Sequence, residues 1–272
     1  MSNEIEHLQD ILITKLVSSK MSQKEIFNSL ITLKNTPIFI IGAGGVGSIC
    51  SELLVRAGFK KITIIDGDVV EKNNLGRQLY NYEDIGKLKV KCLKEKLLKI
   101  QNPSLNFSIS QISQYIDKKN INKIISIEEN KNYLFSTPII IDCSDNLSTR
   151  RLINSFALNN NFMWIYSGGE GFESIVGVFD YSYSNSIDLF SKFITTNHIQ
   201  TSNCSSGVLN STTTITASLI VKELLIYKYN LLHCFSPLQF EQRENMNNDK
   251  KQICKCIKFN LLYNKVFEFY IK

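Results

Sequence analysis

Residues 40–66, IIGAGGVGSICSELLVRAGFKKITIID, join an apolar run to a glycine-rich turn, a helical repeat and a second apolar run that ends in aspartate. This order leaves little freedom in the local fold. IFIIG is continuously apolar, as a central parallel strand buried on both faces must be. SICSELLVRAG has helical spacing and stops at Gly58, and KITIID reads as the next strand. Gly42, Gly44 and Gly47 stand in G-x-G-x-x-G spacing between strand and helix, with Gly45 beside them. The first glycine makes the tight turn, the second admits phosphate close to the backbone, and the third lets the helix pack on the strand. Amides at the helix N-terminus then face the anion. Asp66 ends the second strand, where a carboxylate reaches ribose hydroxyls. In this setting the turn implies a bound nucleotide, without separating a dinucleotide from ATP.

The remaining chain alternates strand and helix. Residues 1–35 read as two short polar helices, the second opened by Ser22 as N-cap. After a loop over 67–85 come the helix LKVKCLKEKLLKIQ, the strand LNFSISQI, the helix INKIISIEEN and the strand PIIIDCSD. The helix NLSTRRLINSFALNNN and the strand FMWIYSGGEG follow. IVGVFDYSY reads as a further strand, 184–203 as a polar, poorly periodic crossover loop, and TITASLIVKELLIYKYN as a strong helix. Residues of about 235–272 alternate like an antiparallel hairpin. The fold class is therefore α/β: a doubly wound, Rossmann-like, mainly parallel sheet with an N-terminal helical segment and C-terminal antiparallel strands. The expected division is a helical segment at 1–35 and one nucleotide-binding domain over 36–272.

Composition narrows the class. The net charge of +6 comes from lysines scattered among acidic residues, with no basic block or aromatic-basic stripe of a nucleic-acid binder. No stretch approaches the roughly 18 consecutive apolar residues that span a bilayer. The N-terminus, MSNEIEHLQDILITKL, has acidic residues where a signal peptide needs positive charge, so a cytoplasmic protein is expected. Seven scattered cysteines, an odd number, read as free thiols.

The segment DGDVVEKNNLGRQLYNYEDIGKLKV distinguishes the candidate nucleotides. It places Asp66, Asp68, Asn74, Arg77, Gln78 and Lys89 in one loop and the start of the next helix. A dinucleotide site needs no such cluster of cations, because glycine amides already hold the pyrophosphate. Cleavage of ATP at the α-phosphate does need one, to offset charge on the α-phosphate and the departing pyrophosphate.

These motifs resemble the ThiF/MoeB/HesA family of adenylyltransferases, relatives of the ubiquitin-activating enzymes. The family pattern G-x-G-G-x-G is met by Gly42 to Gly47. Its D-x-D…N-L-x-R-Q is met by Asp66, Asp68, Asn74, Leu75, Arg77 and Gln78, and its G-x-x-K by Gly86 and Lys89. DCSDN, Asp142 to Asn146, matches D-x-x-D-N. The resemblance runs from about Pro37 to Gly171 and resumes at NCSSGVLNSTTTITASLIVKELL. It implies ATP as the nucleotide, Asp66 on the ribose, Asn74, Arg77 and Lys89 on the triphosphate, and Asp145 on magnesium, with Gln78 and Asn146 in the same site. Asp145 also reads as an N-cap for the helix starting at Leu147, a role compatible with holding magnesium.

Cys204 matches a family cysteine that in some relatives handles the activated carboxylate or sulfur. A thiolate there reaches an acyl-adenylate, although direct passage to another sulfur donor needs no such step. Many relatives hold a structural zinc with two C-x-x-C pairs. This chain has none, and Cys204, Cys234, Cys254 and Cys256 have the wrong spacing, so zinc is not expected. Cys254 and Cys256, in a strand-like C-x-C, are expected to point to opposite faces. The family's N-terminal arginines, donated across a homodimer, are missing; Lys15, Lys20 and Lys24 are the substitutes available, but a lysine lacks arginine's bidentate fork. A homodimer is implied by resemblance alone.

The implied reaction is adenylation of the C-terminal carboxylate of a ubiquitin-like sulfur-carrier protein, for thiamin or molybdopterin-type cofactor synthesis. The alternative substrate is a short precursor peptide of a modified, microcin-like antibiotic. A tRNA-base adenylation, an NAD-dependent oxidoreductase and a non-catalytic binding relative carry less support. The first lacks a basic-aromatic surface, and the second has only His198 and His233 as uncontexted hydride-transfer candidates. The intact set of Arg77, Lys89 and Asp145 argues against the third.

Overall fold

Ile38 and Ile40 pack into one apolar cluster while Phe39 and Ile41 pack into another, so the first strand is covered on both faces. The computed structural model describes residues 36–100, 107–125, 137–182, 186–196, 207–228 and 254–271, with single positions between 22 and 35. Most of the expected N-terminal helical segment thus lies outside the described residues.

Along the chain run β1 (Pro37–Ile41), α1 (Gly45–Arg56), β2 (Lys61–Ile65), α2 (Lys89–Ile100), β3 (Ser108–Ile112), α3 (Ile121–Ile124), β4 (Ile139–Asp142) and α4 (Leu147–Asn159). Then follow β5 (Met163–Glu170), β6 (Glu173–Asp180), α5 (Leu189–Thr196), α6 (Asn210–Lys228), β7 (Cys254–Asn260) and β8 (Lys265–Ile271). The strands form one sheet in the order β3-β2-β1-β4-β5-β6-β7-β8. Pairing is parallel from β3 to β5 and antiparallel from β5 to β8.

Both faces are covered, as continuous apolar strands require. Cys50 and Leu54 of α1, Leu93 and Leu97 of α2, and Ile220 and Leu224 of α6 pack on one face. Ile153 and Phe156 of α4 and Phe190 and Phe193 of α5 pack on the other, around Trp164, Tyr166 and Phe179. Chain order reverses between β1 and β4, which opens a crevice at the carboxyl ends of those strands. Among the described residues no helix is long and apolar enough to cross a membrane.

Two expectations change. Within 184–203, read as a polar loop, Leu189–Thr196 is a helix that buries Phe190 and Phe193. Asp188 precedes it and accepts the Ser191 amide at 3.0 Å and hydroxyl at 2.6 Å, an N-cap arrangement. The helix is too short for its period to stand out in sequence. Cys254 and Cys256 do not point apart: both are buried in one cluster with Sγ atoms 3.5 Å from each other. Residues i and i+2 of a strand share a face, so the expectation miscounted the period.

Between those cysteines, Lys255 faces the other side and meets α6. Its ammonium lies 3.2 and 3.1 Å from the two carboxylate oxygens of Glu223, and both side chains are nearly buried. Lys222 also contacts Glu223, at 3.0 Å. Removing one member of a buried pair strands the other charge. Lys255→Met is expected to cost about 3 kcal/mol in urea unfolding, the low end for such a deletion because Lys222 remains. The double variant Lys255→Met/Glu223→Leu should recover most of that loss in the same measurement.

Candidate functional site

The glycine turn is shaped by contacts that only hydrogen permits. Gly42 has φ +97°, and a Cβ there would come within 2.6 Å of the Cys143 carbonyl oxygen. A Cβ on Gly47 would stand 1.8 Å from the Gly42 oxygen, and one on Gly45 2.8 Å from Thr213 Cγ2 of α6. These three glycines are demanded by the fold itself. Gly44 differs: its Cβ would meet only Gln78 Nε2, at 3.9 Å. Gly44 is also the N-cap of α1 and brings no side chain to the helix. The first-turn amides, which no intrahelical acceptor can satisfy, therefore face an open cradle.

Asp66 closes the turn from the side. Its Oδ2 accepts the Ala43 amide at 2.6 Å and its Oδ1 the Asp68 amide at 2.8 Å. Tyr80 donates its hydroxyl to the Ala43 oxygen at 2.7 Å, and the Leu79 amide donates to Ser48 Oγ at 3.2 Å. Burial, then the Asp66 charge, push the Tyr80 phenol far above its ordinary range, so it stays protonated. The segment after β2 thereby folds back over the glycine turn.

Lys89, at the start of α2, is bonded twice to Asp68: its amide to the Asp68 oxygen at 3.0 Å and its ammonium to Oδ2 at 2.8 Å. Only 8% of the Lys89 side chain is exposed, against 45% for Asp68. Partial burial pushes the Asp68 carboxyl up, but the Lys89 ammonium and the Tyr115 hydroxyl outweigh it and leave it below its ordinary value. Arg77 places its backbone oxygen against Gly45, while its guanidinium donates to the Asn73 oxygen at 2.9 Å. Gln78 has a buried Oε1 without a hydrogen-bond partner beside the open face of Gly44.

Asn74 is buried and mostly spent on its own loop: Oδ1 accepts the Glu71 amide at 2.9 Å, and Nδ2 donates to Asn73 at 2.7 Å. Asn146 caps α4, with Oδ1 accepting the Thr149 amide at 2.9 Å and the Ser148 hydroxyl at 2.7 Å. The N-cap is thus Asn146, and the capping role weighed for Asp145 falls away. The exposed Asp145 carboxylate meets Asn146 Nδ2 at 3.4 Å. Among the described residues no group of three His, Cys, Asp or Glu could hold a metal ion. One carboxylate beside a phosphate cradle nevertheless fits magnesium, which takes most of its ligands from phosphate and water. Cys204 lies outside the described residues.

Residues without a role at the sequence level complete the site. Arg150, one turn into α4, donates to the Ser144 oxygen at 2.8 Å and the Ser167 oxygen at 3.2 Å, with its guanidinium 5.0 Å from the centre of the Tyr166 ring. It clamps the Asp145 loop to β5. Asp142, buried at the base of that loop, accepts the Ser144 amide at 2.9 Å and hydroxyl at 2.6 Å. Burial pushes its carboxyl up, opposed chiefly by Arg150. Tyr115, after β3, donates to Asp68. An arginine in the first turn after an acidic loop is a usable signal, but helix phase alone separates Arg150 from the exposed Arg151.

The chain matches the ThiF family over residues 20–258. It is 33% identical over 215 residues to a probable molybdopterin-synthase adenylyltransferase of Porphyra purpurea, covering 74% of this chain and 53% of that protein. It is 31% identical over 153 residues to the adenylyltransferase and sulfurtransferase UBA4 of Saccharomyces cerevisiae, covering 56% and 32%. The chain thus spans about half or less of the length of these relatives. Among solved structures, PaaA superposes with a TM-score of 0.71 at 21% identity, over 97% of this chain and 72% of that one. Escherichia coli MccB with AMPCPP and MccA gives 0.65 at 20%, over 90% and 66%. These likenesses agree in fold with the sheet order above. With the glycine turn, acidic loop and Asp145 loop assembled at the carboxyl ends of β1, β2 and β4, and the match running through residues 20–258, the chain belongs to the ThiF family.

Proposed function

We propose that this chain uses ATP and magnesium to adenylate the C-terminal carboxylate of a small ubiquitin-like sulfur-carrier protein, serving thiamin or molybdopterin-type cofactor synthesis. The observation that carries this reading is the assembly of Lys89, the Arg77 loop and Asp145 around an open glycine cradle. A substrate carboxylate oxygen attacks the α-phosphorus, the bond from that phosphorus to the β-bridging oxygen breaks, and pyrophosphate leaves with the electron pair. The attacking carboxylate is already ionised at neutral pH, so no general base is required. The protein contributes position and charge. The glycine turn and α1 amides hold phosphate, Asp66 holds ribose, and Lys89 and Arg77 offset the charge that develops on the phosphates. Asp145 would hold the magnesium, which would offset negative charge on the phosphates.

The names of the red-algal and yeast relatives support a sulfur-carrier substrate. The second reading, a short precursor peptide, is favoured by one observation: the likeness to PaaA and MccB spans 90% or more of this chain. In either case the protein is read as a cytoplasmic homodimer.

Exchange of labelled pyrophosphate into ATP, measured with Gly-Gly carrier proteins and with short peptides, tests the reaction and chooses the substrate. Exchange is expected with a carrier; exchange with peptides alone would transfer the assignment to the second reading. Absence of exchange with every carboxylate, together with tight NAD binding, would overturn both. Arg77→Ala is expected to lower exchange at least about 100-fold with unchanged circular dichroism. Gly44→Ala should leave unfolding within about 0.5 kcal/mol of wild type while weakening ATP binding, because its Cβ meets ligand space and no protein backbone.

A further inference from the structure

Tyr115 is an exposed aromatic side chain, with 67% of its surface accessible, yet it is held at both ends. Its ring lies against Gly67, where a Cβ would come within 2.8, 2.8 and 2.9 Å of three ring carbons. Its hydroxyl donates to Asp68 Oδ1, whose partner oxygen carries Lys89. Its backbone oxygen accepts Asn120 Nδ2 at 2.7 Å, and Asp117 folds the same loop by accepting the Lys119 and Asn120 amides at 2.8 and 2.9 Å. An exposed ring with a fixed plane is uncommon, because an ordinary surface tyrosine is free to turn.

Its place in the sheet supplies the reason. Ile41, Ile65 and Ile112 are register partners at the carboxyl ends of β1, β2 and β3. The glycine turn follows the first, Asp66 the second, and Tyr115 stands three residues beyond the third. A nucleotide with its phosphates in the turn and its ribose on Asp66 points its base away from β1, past β2, towards the end of β3. We propose that Tyr115 is the platform on which the base of the bound nucleotide stacks, and that Gly67 is glycine so that the ring can take this position.

The inference rests on the ATP reading above and extends it to a contact which the glycine turn and cation set do not provide. With its hydroxyl committed to Asp68, the ring offers the base a π-face and no hydrogen-bond code. The contact therefore contributes affinity for any purine.

Calorimetric titration of the full chain with Mg-ATP and with Mg-tripolyphosphate separates base from phosphate binding. Tyr115→Ala should weaken ATP about tenfold or more, the range of base-aromatic stacking, and leave tripolyphosphate within about twofold. Tyr115→Phe keeps the ring and should stay within about threefold of wild type for ATP. Gly67→Ala should reproduce the loss seen in Tyr115→Ala, and add nothing when combined with it, since both act through the ring. Equal ATP affinity for Tyr115→Ala and wild type would overturn the platform alone. So would an equal loss for tripolyphosphate, or a full loss in Tyr115→Phe, because either would place the effect on Asp68 and Lys89. Wild-type protein that binds tripolyphosphate but not ATP would overturn the ATP reading and the platform together.

Discussion

Two short bonds to one carboxylate join the loops that carry most of the candidate site. Asp66 Oδ2 takes the Ala43 amide and Oδ1 the Asp68 amide, at 2.6 and 2.8 Å. The turn after β1 and the acidic loop after β2 are thereby fixed to each other in a setting that excludes most water. Charge-assisted bonds of this kind are stronger than neutral ones. From Asp68 the connection passes to the Lys89 ammonium and the Tyr115 hydroxyl, and Tyr80 secures Ala43 from the far side. A displacement of Asp66 would move the glycine turn, Lys89 and Tyr115 together.

The molecule treats its buried charges in two ways. Lys255 and Glu223 meet between sheet and helix, where each supplies the counter-charge that burial removes from the other. Asp142 is buried without a direct ion pair. It takes two bonds from Ser144 and feels Arg150 at longer range, and its remaining oxygen has no hydrogen-bond partner. Arg150 instead spends its donors on the carbonyls of Ser144 and Ser167. The Asp145 loop is therefore held by backbone contacts from behind, which leaves the Asp145 carboxylate at the surface.

Much of this was legible because local pattern and tertiary demand coincide along β1, α1 and β2. The apolar run, the glycine spacing and the terminal Asp66 each have one good structural reading, and the three readings agree. Where they diverged, a period was short or miscounted. Helix α5 has only eight residues, about two turns, too few for the spacing of its buried Phe190 and Phe193 to form a repeat. The shared face of Cys254 and Cys256 follows from strand geometry, which puts residues i and i+2 on one side. Asn146 in place of Asp145 as the cap shows the limit of boundary reading. A shift of one residue exchanges a capping group for a free carboxylate.

The sequence by itself determined the strand-turn-helix-strand unit, the parallel α/β class and the residue types of the glycine turn and of the cation-bearing loop beside it. These depend on spacing along the chain, which local sterics and periodicity translate directly into backbone shape. Tertiary structure alone decided which neighbours those residues meet. It set Thr213 against Gly45, 168 positions away along the chain, put Tyr115 on Gly67, 48 away, and tied Arg150 behind the Asp145 loop to Ser167, 17 away. It also separated glycines the backbone requires, Gly42, Gly45 and Gly47, from Gly44, which leaves room for a ligand. Such distinctions are set by packing across strands, and packing partners distant in sequence leave no periodic trace in it.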